Sequence, residues 1–337
     1  MSAANVTVKG SLMTTTISVD ALGGDNAPSV VLDGVELALA ADDDIRVILC
    51  GPADVVEPFA AAHERCEAKA TTEFIDMAEH PANAVRKKKD SSIVVGCRLV
   101  KEGQADGFFS AGSTGACLAA GTLVIGRIKG IARPALATVV PCPKKPVVMC
   151  DVGANADCKP EYLVQFGQMA SVYAEKVLGV ENPRTGLLNI GEEDTKGSQF
   201  ALEAHRLLRE QLPNFDGNAE GRDVTAGTFD VVITDGFTGN VCLKTIEGTA
   251  KMLFSELKGI MYASVLTKLG AATMSKGLHD LKDKVNPDVY GGAPLLGVKG
   301  ACIVGHGSSN AEAIKNGVLT TALVARAGVS ELIAQTL

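Results

Sequence analysis

The segment Val147-Val-Met-Cys-Asp-Val-Gly-Ala-Asn155, followed by Pro160-Glu-Tyr-Leu-Val-Gln-Phe-Gly-Gln-Met-Ala-Ser-Val-Tyr-Ala-Glu-Lys-Val177, decides the fold. Its first part, residues 147–153, is a short apolar run of the kind that forms a strand buried on both faces, and it ends in Asp, Gly and Asn. Its second part sets Leu163, Phe166, Ala170, Tyr173 and Val177 at steps of three and four, with Pro160 suited to the first helical position. A strand that passes through a polar turn into an amphipathic helix is the first half of a β-α-β unit. Comparable apolar runs recur at residues 17–22, 46–51, 73–77, 107–112, 136–141, 186–191, 230–236 and 301–307, with helical patterns between most of them. Strand and helix in alternation predict a mainly parallel sheet covered on both faces, a three-layer α/β/α domain.

The 337 residues suffice for one large domain of this kind, far beyond the size of modules that rely on disulfides or zinc. Hydrophobic residues make up 46% and charged residues 21%, an ordinary globular balance that excludes extensive disorder. No apolar run approaches the roughly 18 residues of a membrane-spanning helix. The net charge of −7 argues against nucleic acid as a partner, because such binding draws its affinity from neutralising phosphates. Aromatic residues are only 4%, with no Trp, so platforms for stacking bases have little material, whereas 36 glycines favour loops whose backbone approaches a ligand. The nine cysteines fall singly and in odd number, as core thiols do in a reducing cytoplasm. Cys142, Cys150 and Cys158 repeat without any CxxC pair, so no metal is expected. Residues 1–15 read as a polar leader without the pattern of a signal peptide, ahead of a single domain over residues 16–337 with no visible internal boundary.

Seven clusters of small or polar residues punctuate the runs: Asp20-Ala-Leu-Gly-Gly-Asp-Asn26, Ser110-Ala-Gly-Ser-Thr-Gly-Ala116, Asp151-Val-Gly-Ala-Asn155, Asn189-Ile-Gly-Glu-Glu-Asp-Thr-Lys-Gly197, Asp235-Gly-Phe-Thr-Gly-Asn240, Tyr290-Gly-Gly-Ala-Pro294 and Gly305-His-Gly-Ser-Ser309. Parallel sheets bind ligands at the carboxyl ends of their strands, so all seven are expected at one edge. Several lead straight into a helix, whose first N–H groups and dipole favour an anion. No GxxxxGK[ST] loop occurs, since Lys196 stands where the second Gly would be, and no GxGxxG follows the first strand. A GxSxG elbow and a Cys–His signature are also missing. Neither a nucleotide nor another cofactor is therefore expected. Two alternatives to acyl or phosphoryl chemistry stay open from the residues alone: a dehydrogenase of related fold, which needs a nucleotide loop and metal-binding carboxylates, and a non-catalytic lipid or carrier-protein binding module.

Taken together and in order, these clusters resemble the bacterial phosphate acyltransferases of phospholipid synthesis, the PlsX family. The resemblance also rests on Ala84-Val-Arg-Lys-Lys-Lys-Asp-Ser-Ser92, Arg133-Pro-Ala135 and the continuations Leu295-Leu-Gly297 and Asn310, and it spans about residues 16–335. Ser113 departs from it, standing where Asn is more usual. It implies transfer of a long-chain fatty acyl group from an acyl carrier protein thioester to inorganic phosphate. It further implies a Rossmann-like fold shared with phosphotransacetylases and isocitrate or isopropylmalate dehydrogenases, a homodimer, and a membrane glycerol-3-phosphate acyltransferase as the consumer of the acyl phosphate.

The residues suit that chemistry. Lys196, among small residues just after a strand end, is the expected charge for phosphate, with Asn240 and His306 completing the catalytic set. Donors and backbone contacts to phosphate or thioester are expected from Asp20, Asn26, Ser110, Ser113, Thr114, Gly115, Asn155, Asn189, Asp235, Gly239, Ser308 and Ser309. Arg86, Lys87, Lys88 and Lys89 are the densest basic run and the expected dock for an acidic carrier protein. Residues 241–285 form a helical hairpin: Leu243, Ile246, Ala250, Leu253, Leu257 and Ile260 make one stripe, opposite Lys244, Glu247, Lys251 and Lys258. Its apolar middle shows no turn chemistry. Ile260, Met261, Tyr262, Val265, Leu266 and Leu269 at its tip are expected to touch the inner face of the membrane while the hairpin pairs with its twin.

Overall fold

A computed structural model describes residues 14–284 and 287–336. The leader, apart from Met13's successors Thr14 and Thr15, and Val285 at the end of the hairpin lie outside the described residues. In chain order the elements are β1 (Thr15–Asp20), α1 (Ser29–Ala41), β2 (Ile45–Gly51), α2 (Ala53–Ala62), β3 (Cys66–Ala70), α3 (Pro81–Lys87), α4 (Ser92–Lys101), β4 (Gly107–Ser110), α5 (Thr114–Ala120), β5 (Ala135–Val140), β6 (Val147–Cys150) and α6 (Pro160–Val177). There follow β7 (Thr185–Leu188), α7 (Gln199–Gln211), β8 (Phe215–Ala219), α8 (Gly221–Ala226), β9 (Val231–Ile233), α9 (Gly236–Tyr262), α10 (Val265–Lys284), β10 (Ala293–Leu296), β11 (Ala301–Val304), α11 (Ala311–Arg326) and α12 (Val329–Gln335).

The alternation of strand side chains builds a core on each face of one sheet. Ile17, Val19, Val47, Leu49 and Phe109 join α1, α6, α7, α11 and α12 on one side. Ile48, Cys50, Phe108 and Val304 join α4, α5 and α8 on the other, where Leu243 and Ile246 of α9 also pack. The stripe read on α6 is fully realised, since Leu163, Phe166, Ala170, Tyr173 and Val177 are all buried.

Strand order is β3-β2-β1-β4-β11-β10-β5-β6-β9-β7-β8. Strands β3, β2, β1, β4 and β11 are mutually parallel, as are β6, β9, β7 and β8, but β10 is antiparallel to both its neighbours and β5 is antiparallel to β6. The two parallel blocks therefore run in opposite directions, which corrects the expectation that all seven clusters share one edge. Register explains why they still meet. Val304 lies opposite Ala293, Leu295 opposite Leu136 and Thr138 opposite Met149. Carried across β10 and β5, this brings the last residue of β11 level with the penultimate residue of β6. The blocks are staggered, and their carboxyl ends face each other across the β10–β5 bridge. The cluster at Tyr290 precedes β10 instead of following a strand, yet reversal of β10 puts it beside the carboxyl end of β11.

Four stretches differ from the sequence pattern, one of them β10, whose Ala-Pro-Leu-Leu the pattern places at the end of a polar cluster and not in a strand. Residues 73–77 make only an isolated bridge from Glu73 to Ser91, with Phe74 and Met77 exposed, and no strand. Edge strands β3 and β8 carry charged or small residues, Cys-Glu-Ala-Lys-Ala and Phe-Asp-Gly-Asn-Ala, because an edge needs little apolar surface.

Candidate active site

Where the two blocks meet, a cleft of about 340 Å³ opens. Its walls come from both: Thr114 on α5, His306, Ser308 and Ser309 after β11, the turn at residues 290–293, Leu136 and Thr138 of β5, Val152 after β6, and Asn240, Leu243, Lys244 and Glu247 on α9.

In the first block, buried Asp20 ends β1 and accepts hydrogen bonds from Ser110 Oγ at 2.7 Å and the Leu22 amide at 3.0 Å. Ser110 Oγ accepts in turn from the Gly112 amide at 3.0 Å. Burial pushes the Asp20 carboxyl above its ordinary range, opposed by hydrogen bonds from Ser92, Ser110 and Leu22. The side chain of Ser113 caps α5 by accepting from the Ala116 amide at 3.4 Å. Gly115 gives Pro81 room to rest on α5, so α3 and α5 pack closely. Asn26 is exposed ahead of α1, its carbonyl accepting from Ser29 Oγ at 3.2 Å. The Asp25 amide donates to the Gly307 carbonyl at 2.7 Å and ties the loop after β1 to that after β11.

On that second loop the Ser308 amide donates to His306 Nδ1 at 3.2 Å, with Ser308 Oγ 2.8 Å from the same nitrogen. An Nδ1 that accepts from an amide carries no proton, so in the neutral ring Nε2 keeps its hydrogen and serves as the donor.

The second block repeats the device. Buried Asp151 accepts through Oδ1 from the Leu136, Gly153 and Ala154 amides at 3.2, 3.2 and 2.9 Å, and through Oδ2 from the Asn155 amide and Nδ2, both at 2.8 Å. Burial again pushes this carboxyl up, against those hydrogen bonds. Asn155 Nδ2 also donates to the Pro134 carbonyl at 2.8 Å, and the Asn155 carbonyl accepts from the Gly236 amide at 2.9 Å. Asp235 caps α9 by accepting from the Phe237 and Thr238 amides at 3.0 and 2.8 Å. Gly239 lies against the Asp151 carbonyl, where a Cβ has no room. These contacts fix the start of α9 and bring Asn240 to the cleft wall. Asn189 folds the loop after β7, donating from Nδ2 to the Lys196 carbonyl at 3.0 Å while Oδ1 accepts from the Ile190 amide at 2.8 Å. Lys196 itself is exposed on that loop and does not line the cleft.

Of the site residues read from sequence, the structure thus gathers Thr114, Asn240, His306, Ser308 and Ser309 around one space. Asp20, Ser110, Ser113, Gly115, Asn155, Asn189, Asp235 and Gly239 shape the loops behind it. Lys244 and Glu247 were missed, being assigned to the outward face of the hairpin. Their signal lay in the spacing, because Asn240, Lys244 and Glu247 step by four and three on one helical face.

In the basic run, Arg86, Lys87 and Lys89 are exposed, whereas Lys88 Nζ is half-buried between Glu79 Oε1 and the Phe74 carbonyl, both at 2.6 Å. At the hairpin tip Ile260, Tyr262, Val265, Leu266 and Leu269 are exposed and Met261 is half-buried. Among the described residues one trio of carboxylates, Glu192, Glu220 and Asp223, is spaced for a cation, but Arg222 pairs with both glutamates and none of the three lines the cleft.

Residues 15–332 match the family model described as fatty acid synthesis protein. A phosphate acyltransferase of Desulfitobacterium hafniense is 50% identical over 306 residues, covering 90% of this chain and 91% of that one. The chain belongs to the phosphate acyltransferase family. A second member, from Heliobacterium modesticaldum, is 47% identical over 320 residues and 94% of each chain. The protein is therefore an acyltransferase that moves an acyl group to phosphate. The fold is shared with a phosphotransacetylase from Streptococcus pyogenes, with a TM-score of 0.60 at 17% identity over 93% of this chain and 94% of that one.

Proposed function

We propose that the chain converts a long-chain acyl thioester of acyl carrier protein and inorganic phosphate into acyl phosphate and free thiol, for phospholipid synthesis. The observation that carries this reading is the cleft at the block junction, where His306 Nε2, Asn240, Thr114 and the serines after β11 supply neutral donors without any nucleotide loop. An oxygen of the hydrogen phosphate dianion attacks the thioester carbonyl carbon, and donors such as His306 Nε2 and Asn240 stabilise the oxyanion. The C–S bond then breaks, and the thiolate leaves with the proton released by the phosphate. Such a leaving group, with a pKa of about 8.5, needs little acid assistance. Lys196 adds positive charge from the loop after β7, and Arg86, Lys87 and Lys89 dock the carrier protein. The hairpin pairs two copies and rests its tip on the inner face of the membrane, so that a cytoplasmic, peripherally bound homodimer hands an apolar, reactive product to a membrane glycerol-3-phosphate acyltransferase. No single described helix is long and apolar enough to cross the membrane itself.

The test is phosphate-dependent release of thiol from palmitoyl-carrier protein or palmitoyl-CoA with no nicotinamide cofactor present. Release is expected, and Lys196→Ala, still folded, is expected to lose at least about tenfold in kcat or in phosphate KM. Release that ignores phosphate would sink the reading.

A further inference from the structure

Lys244 is the one Lys or Arg among the described residues that line the cleft. It stands two turns into α9, one turn beyond Asn240, and its Nζ lies 2.7 Å from Glu247 Oε2 on the same helix. The pair is half-exposed, at 52% and 36%, so the ammonium is both tethered and reachable. A carboxylate on the wall of a cleft that receives an anion repels it, unless its role is to hold a cation there. With the side chains of His306 and Asn240 on the same walls, the cleft combines one full positive charge with neutral donors.

On the reading given above, we propose that Lys244 is the cation that receives the phosphate dianion and that Glu247 is a positioning residue for its ammonium. Nζ rests on Glu247. The incoming dianion competes for it, and Glu247 keeps the lysine from extending into solvent.

Phosphate binding is measured first, without an acyl donor, as the rise of Tm with phosphate against chloride of equal ionic strength. The wild type is expected to gain Tm with phosphate, and Lys244→Met to lose that gain while keeping its basal Tm. In steady-state thiol release, Lys244→Met should raise the phosphate KM at least about tenfold and shift the acyl-donor KM less than about twofold, with partial recovery in Lys244→Arg. Glu247→Gln added to Lys244→Met should lower the phosphate KM again, because the unpaired carboxylate is gone. A purely structural ion pair does not produce that rescue. A phosphate-dependent Tm gain retained in Lys244→Met, a phosphate KM within twofold of wild type, or a double variant no better than the single overturns the proposal. A wild type whose phosphate binding depends on Lys244 but which releases no thiol upholds the anion site and defeats the acyl-transfer reading instead.

Discussion

Asp20 and Asp151 solve the same local problem at the ends of β1 and β6. Each is a buried carboxylate that folds a loop around itself, Asp20 by accepting from an amide and serine hydroxyls and Asp151 by accepting from amides alone, and each has its pKa raised by burial. An acid with a raised folded pKa binds its proton more tightly when folded. Its stabilising contribution is full below the ordinary carboxylate value of about 3.9 and is lost as pH rises through the raised folded value. Asp20→Asn keeps the shape, and the Ser110 hydroxyl can turn to accept from the new amide, so the dependence disappears. Urea unfolding at several pH values between about 4 and 8 should show the stability difference moving in favour of the wild type as pH falls. A difference flat in pH would remove the shift at Asp20. The same two aspartates show why the site was only partly legible in sequence. Residue type and loop position mark Asp20, Asn155 and His306 alike as polar groups at strand ends. Only the hydrogen bonds separate those turned inward to hold a loop from those, like His306, left on the cleft wall.

At the scale of elements, the longer buried apolar runs were legible as strands, whereas β10, the short Ala-Pro-Leu-Leu with Pro294 inside it, was not. Edge strands β3 and β8 escaped because their outward positions carry Glu, Lys and Asp, and reversal of the central strands leaves no trace in periodicity. In the hairpin, α9 follows from its stripe, but the turn between α9 and α10 has chemistry that apolar periodicity does not mark. Ser264 Oγ accepts from the Thr267 amide at 3.1 Å while Thr267 Oγ1 accepts from the Ser264 amide at 2.9 Å, a reciprocal cap that starts α10. That cap fixes a tip on which Val265 and Leu266 are 76% and 79% exposed. Each apolar side chain buried in a lipid interface would contribute at most about 1.5–3 kcal/mol, enough together for reversible binding and not for insertion. Lys258, Lys268 and Lys276 supply charge for anionic headgroups. Co-sedimentation with anionic vesicles is expected for the wild type and reduced in Val265→Asp, Leu266→Asp. Equal sedimentation of both, with the variant still active, would exclude the tip as the membrane contact.

Across the whole molecule, a net charge of −7 opposes approach of an acidic carrier protein, so docking must rely on a local exception to the overall field. The basic run is such an exception, and its place in the fold is specific. Pro81 at the start of α3 packs on Gly115 of α5, the helix whose first residue, Thr114, lines the cleft. The run therefore sits one helix away from the proposed chemistry, close enough for a tethered thioester to reach in from a docked partner. Not all four positions are equal, because Lys88 is bound to Glu79 and the Phe74 carbonyl and its loss would loosen the loop before α3. Arg86→Glu, Lys87→Glu reverses exposed charge and leaves that contact intact. Rim charges act mainly on association, and screening sets in beyond about 10 Å at 0.1 M salt, so kcat/KM for acyl-carrier protein should fall, and fall furthest at low salt. Activity on acyl-CoA, measured in parallel, should stay within about twofold of wild type. Equal loss on both donors at every salt concentration would assign the run to the fold or to the phosphate site and leave the carrier protein without its dock.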